Sequence, residues 1–217
     1  MTGIKYLCIQ NKLLMFNNFL ILFSIFLLPF TAAAQSTAKD YFISANQKNL
    51  AGDHAGAVED YTKSIALDPT RSQTYNNRGI AKNDMGDFQG AMDDYTKAIE
   101  LNPKFVEAYN NRGNVKDKLQ DFKGAIKDYT KAIEYDPNNT FAYYNRGNSK
   151  HDLKKYADAI KDYTKSIALK PDYGRAFFNR GGSRLMLNDK EGACSDFRKA
   201  EKLGYSKATE LIKKNCK

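Results

Sequence analysis

From residue 37 onward, apolar and small side chains return at intervals of three and four, the spacing of one helical face, and the pattern itself recurs. Pro69, Pro103, Pro137 and Pro171 lie 34 residues apart. Setting each proline at position 32 of a unit starts five units at Ala38, Ser72, Val106, Thr140 and Gly174. Position 4 is then aromatic throughout (Tyr41, Tyr75, Tyr109, Tyr143, Phe177), and so is position 24 (Tyr61, Tyr95, Tyr129, Tyr163, Phe197). Position 20 is alanine in every unit (Ala57, Ala91, Ala125, Ala159, Ala193), and position 8 is Ala45, Gly79, Gly113, Gly147 or Gly181.

These positions predict a helical hairpin in each unit. Positions 1 to 14 carry apolar or small residues at helical spacing. A turn follows at Gly52 or Gly86, with Asp53, Asp87, Asp121 or Asp189 as N-cap of a second helix, residues 88–102 being an example. The proline ends that helix, because the residue before a proline is pushed out of the α region. Small residues at positions 8 and 20 let the two helices approach closely, and the aromatics at 4 and 24 fill the space beside them. One hairpin cannot bury such a stripe alone, whereas stacked hairpins bury it as a continuous core. The recurring Asp at position 23 (Asp60, Asp94, Asp128, Asp162, Asp196) is expected to pair with the Arg at position 7 (Arg78, Arg112, Arg146, Arg180).

The unit that runs from Tyr75-Asn76-Asn77-Arg78-Gly79 through Ala91, Tyr95, Ala98 and Pro103 resembles the tetratricopeptide repeat. The resemblance implies an all-α, right-handed superhelix of about ten repeat helices, with units at 38–71, 72–105, 106–139, 140–173 and 174–207. Residues 208–217, after the break at Gly204, read as a capping helix. It also implies a concave groove lined by the first helix of each pair, chiefly positions 2, 5, 6, 9, 12 and 13. Those positions supply Asn77, Asn111 and Asn145, then Asn46, Asn114 and Asn148, in a groove whose middle is polar. The C-terminal part of the groove is aromatic, with Phe141, Tyr144 and Phe178 beside Arg175. Some relatives grip an acidic C-terminus with a carboxylate clamp of Lys and Arg; Phe42, Glu107 and Asn111 stand at the corresponding places, which disfavours that mode.

The segment before the repeats differs in kind. Lys5 and Lys12 precede an apolar run from Leu13 to Phe30, followed by Ala32-Ala33-Ala34, the three parts of a secretory signal. Residues 1–34 are therefore expected to be a signal peptide cleaved after Ala34, giving a periplasmic or secreted protein. An uncleaved membrane anchor is the alternative. Export leaves two cysteines, Cys194 and Cys216, at comparable distances either side of Gly204; a fold-back of the capping helix would bring them together as a disulfide.

The net charge of +9 falls to +7 without Lys5 and Lys12 and is concentrated toward Lys213, Lys214 and Lys217. That distribution reads first as a solvated terminal helix, and no nucleic-acid partner is expected. His54 and His151 recur with no acid and nucleophile, the glycines fall at packing and turn positions, and no metal-ligand spacing is present, so neither catalysis nor a cofactor is expected. The chain reads as an exported, non-catalytic adaptor or assembly scaffold for a protein or extended peptide. The alternative is a structural envelope component, tethered by its N-terminal helix or self-assembling; oligomeric state stays open.

Overall fold

The first helix of each hairpin sits on the inside of the array. The computed structural model describes residues 36–216, so the apolar segment and the expected cleavage after Ala34 lie outside the described residues. The repeats belong to one unit, Thr37–Lys217. Among the described residues there are eleven α-helices and no strand. The five first helices are α1 (Ala38–Leu50), α3 (Ser72–Asp84), α5 (Val106–Lys118), α7 (Thr140–Asp152) and α9 (Gly174–Met186). The five second helices are α2 (His54–Leu67), α4 (Phe88–Leu101), α6 (Phe122–Tyr135), α8 (Tyr156–Leu169) and α10 (Lys190–Lys202), and α11 (Lys207–Asn215) closes the array. Each helix packs on the next in sequence, and consecutive first helices also touch: α1 with α3, α3 with α5, α5 with α7, α7 with α9. The second helices do not meet one another in this way, so the row bends toward its first helices and leaves them lining the concave side.

The helix ends follow the residue types. Asp53, Asp87, Asp121 and Asp189 accept from the backbone N–H of Gly56, Gly90, Gly124 and Gly192. Asp68, Asn102 and Asp136, each followed by proline, are extended, and Lys170 before Pro171 has likewise left the α region. The turn between paired helices needs a left-handed residue in every unit, and only two units use glycine for it: Gly52 (φ 84) and Gly86 (φ 85) are matched by Gln120 (φ 61), Lys154 (φ 59) and Asn188 (φ 63). The hairpin packing is tight enough to force the unfavourable backbone on Gln120 and Lys154.

Each hairpin is also locked by charge. Arg78, Arg112, Arg146 and Arg180 each grip the position-23 aspartate of their own unit with two nitrogens, at 2.7–2.9 Å. A second cation at position 11 (Lys48, Lys82, Lys116, Lys150, Arg184) reaches the same carboxylates, which are at most 4% exposed. The remaining guanidinium nitrogen of each arginine donates to a threonine of the preceding unit, Thr62, Thr96, Thr130 or Thr164, at 3.0–3.1 Å. One side chain therefore ties both the hairpin and the stack. Unit 1 has no arginine here; Ser44 donates to Asp60 instead.

At the C-terminal end, Phe177, Phe197, Ala200 and Ala208 form a buried cluster against which Leu211 and Ile212 of α11 pack. Cys194 and Cys216 are joined as a disulfide there, their Cα atoms 5.5 Å apart. Among the described residues, no helix is long and apolar enough to cross a membrane.

Candidate protein-binding groove

The groove is floored by a ladder of amides that runs between units. Asn77 donates to Asn46 at 3.0 Å, Asn145 to Asn114 at 3.0 Å, and Asn179 to Asn148 at 2.8 Å. The same three acceptor oxygens also take the buried hydroxyls of Tyr61, Tyr129 and Tyr163. Unit 2 has Ile80 where the ladder wants asparagine, so Asn111 turns to Asn76 at 3.0 Å. Asn77, Asn111 and Asn145 therefore spend their donors on holding adjacent units in register. The side-chain donors of Asn46, Asn114 and Asn148 make no hydrogen bond among the described residues, and these residues line cavities open to the groove.

Three such cavities follow one another along the first helices. One of about 390 Å³ lies beside Asn46, Asn49 and Asn77. The central one, about 460 Å³, is bounded by Glu107, Asn110, Asn111, Asn114, Asn145 and Phe141. Asn110 presents to it a side-chain oxygen that is buried and has no hydrogen-bond partner among the described residues. The third, about 370 Å³, lies between α7 and α9 and includes Asn148 and Phe178.

The aromatic residues expected at the C-terminal end divide into two kinds. Phe141 is 56% exposed, its edge set against Tyr173. Arg175 is exposed and forms no ion pair among the described residues. Tyr144, by contrast, packs on Tyr163 and Tyr173 and accepts from Asn179 at 3.0 Å. Phe178 packs on Phe197 and Tyr205, joining the core beneath the capping helix while one side lines the third cavity. Tyr173, which holds this cluster together, follows the helix-ending proline of unit 4 and was not singled out by the sequence. Its only signal there is an aromatic at position 34, shared with Phe105.

The model of the tetratricopeptide repeat family matches residues 72–105, 106–139 and 140–173. Residues 72–173 are three tandem tetratricopeptide repeats. A crystal structure of MamA superposes with a TM-score of 0.70 at 27% identity, covering 76% of this chain and 96% of that one. MamA from Desulfovibrio magneticus RS-1 gives 0.73 at 22% identity, covering 80% and 98%. YrrB, described as a tetratricopeptide-repeat protein with an unusual peptide-binding site, gives 0.70 at 22% identity, covering 81% and 92%. A comparison with curated protein sequences finds no match.

The charge of this tetratricopeptide-repeat groove runs against that of the whole chain. Its lining positions carry Asp84, Glu107, Asp117 and Asp152 against Lys39, Lys118 and Arg175, a balance of four acids to three bases, in a chain of net charge +9. Asp117 is the most enclosed of the four. Its oxygens accept from Tyr129 at 2.8 Å and from Ser149 at 2.7 Å, and burial raises its carboxyl above the ordinary range despite those bonds. A carboxyl raised in this way costs stability as the pH rises from its unfolded value of about 4 to its folded value; the penalty is complete above the folded value and absent below the unfolded one. Tyr129 keeps Asn114, and Ser149 keeps the Asn145 carbonyl, if the acid is replaced. Asp117→Asn is therefore expected to raise the melting temperature near pH 7 and to lose that advantage near pH 3. Melts at the two pH values check this, and a variant less stable at neutral pH contradicts it.

Proposed function

We propose that the protein is a non-catalytic adaptor that holds an extended segment of another polypeptide in its concave groove, outside the cytoplasm. The observation that carries the reading is the chain of three cavities along the first helices, edged by amide donors without partners and by the exposed ring of Phe141. An extended peptide offers carbonyl and amide groups at regular spacing, and asparagine answers both. Exposed aromatics at the edge of such a surface are where binding energy concentrates. The peptide-binding site named for YrrB supports the same use of the fold. Export is supported by the basic start, apolar run and Ala32-Ala33-Ala34 of the N-terminal segment, and a disulfide at the other end of the chain suits an oxidising compartment.

Phe141→Ala tests the groove. Tyr144 and Phe178 are unsuitable because their rings support the fold. Captured partner from an envelope or secreted fraction is expected to fall about tenfold, with little change in melting temperature because Phe141 is mostly solvated. Equal capture by both proteins would remove the groove from consideration. N-terminal sequencing of the recovered protein is expected to begin at Gln35.

A further inference from the structure

The amide ladder stops at a glycine. Position 9 is Asn46, Ile80, Asn114 and Asn148 in the first four units and Gly182 in the fifth. Its usual partner changes with it, since position 24 of that unit is Phe197, which has no hydroxyl to donate. The unit's place in the array explains the missing asparagine: among the described residues the fifth hairpin is followed by α11 rather than by another hairpin that would donate to it. It does not explain glycine, which costs about 1 kcal/mol relative to alanine in a helix interior. A Cβ at Gly182 would meet nothing within 4 Å, so close packing does not demand the residue either. What the absent side chain creates is space. Gly182 forms part of the wall of the third cavity, about 370 Å³, together with Asn148, His151, Asp152, Tyr163, Phe178 and Asn179.

The chemistry around that space selects a cation. Asp152 is exposed and has no ion-pair or hydrogen-bond partner among the described residues. Lys150 is committed to Asp162 at 2.7 Å, and His151, also in the wall, is held by Ser183 at 2.8 Å, while Lys154 and Lys155 lie beyond the end of α7 and are exposed to solvent. Arg175 stands seven residues before Gly182 on the same helix, roughly 10 Å away along its axis. Beyond burial, the charge of Asp152 also pushes the Asp117 carboxyl upward, so the two acids repel one another along the groove. Phe178 offers ring surface, which attracts a desolvating ammonium or guanidinium, and the unpaired acid supplies its counter-charge.

We propose that the Gly182 cavity is a side-chain pocket that receives a lysine or arginine of the polypeptide bound in the groove. This rests on the groove-binding function and adds a sign to it: the overall basic chain selects a basic, not an acidic, partner segment.

The test uses the full chain to select binders from a random-peptide phage library, with the enriched peptides then synthesised and titrated by fluorescence anisotropy. The peptides are expected to share a lysine or arginine at one place, and replacing it with norleucine or citrulline to weaken binding about tenfold. Gly182→Asn, which introduces the residue of units 1, 3 and 4 and narrows the cavity, is expected to weaken binding at least about tenfold while the melting temperature holds or rises. Asp152→Asn is expected to remove the preference for the basic residue. Peptides that lose affinity for Phe141→Ala but not for Gly182→Asn, or that share no basic position, overturn the pocket and leave the groove standing. Peptides indifferent to both variants, or no enrichment over bare matrix, overturn both.

Discussion

Asp128→Ala is expected to destabilise the protein by about 3–5 kcal/mol, the range measured when one partner of a buried ion pair is removed. Asp128 is 4% exposed and holds three bonds at once: two from Arg112, at 2.9 and 2.7 Å, and one from Lys116 at 2.7 Å. Deleting it leaves two cations mostly enclosed without a counter-charge. The arginine is also the residue that reaches Thr96 of the preceding unit, so the loss reaches across the unit boundary. Arg112→Leu is expected to cost less, because Lys116 still neutralises the acid and the aliphatic side chain can still cover the Tyr109 ring that the guanidinium now faces. Urea unfolding of the two variants measures the difference. An Asp128→Ala protein within about 1 kcal/mol of the parent would show that these bonds do not hold the stack, and an Arg112→Leu protein less stable than Asp128→Ala would show that Lys116 does not compensate for the arginine.

The second large effect concerns the end of the array. Cys194 and Cys216 are 22 residues apart in sequence, and closing a loop of that size stabilises by about 3 kcal/mol in the chain-entropy description. The helix they secure, α11, has only nine residues and one fully buried side chain, Ala208. An isolated helix that short does not form in water, so its place depends on Leu211 and Ile212 covering the cluster of Phe177 and Phe197 and on the covalent tie. Replacing both cysteines with serine is expected to let α11 open before the rest of the repeats. Hydrogen exchange at the amides of Ala208 to Ile212 should then accelerate by roughly a hundredfold, as a loss of about 3 kcal/mol in local opening requires. Thiol labelling of both cysteines in the unreduced protein, or exchange unchanged by the substitutions, would dismiss the tie.

Much of this was legible beforehand because the interactions are local or repeat with the period of the sequence. The Arg112–Asp128 pair lies within one unit, at a fixed offset of sixteen residues, and its four copies announce it. The caps at Asp53, Asp87, Asp121 and Asp189 are set by residues only three positions apart. The left-handed Gln120 and Lys154 were not legible. Their backbone is imposed by two packed helices, against the preference of the residues themselves. The division among the groove aromatics was hidden for a different reason. Phe141 and Tyr144 are three residues apart on one helix, yet only contacts from Tyr163, Tyr173 and Asn179 of other elements decide that one is open and the other enclosed.

The sequence by itself determined the hairpin, its length, its ends and its ion pair, since each is an energy minimum of a single repeating unit. Only the stacked structure decided which polar groups remain for a guest. The asparagines that look alike in sequence are consumed or spared according to whether a neighbouring unit stands against them. The significance of Gly182 is visible only when the walls contributed by α7, α8 and α9 surround the missing side chain.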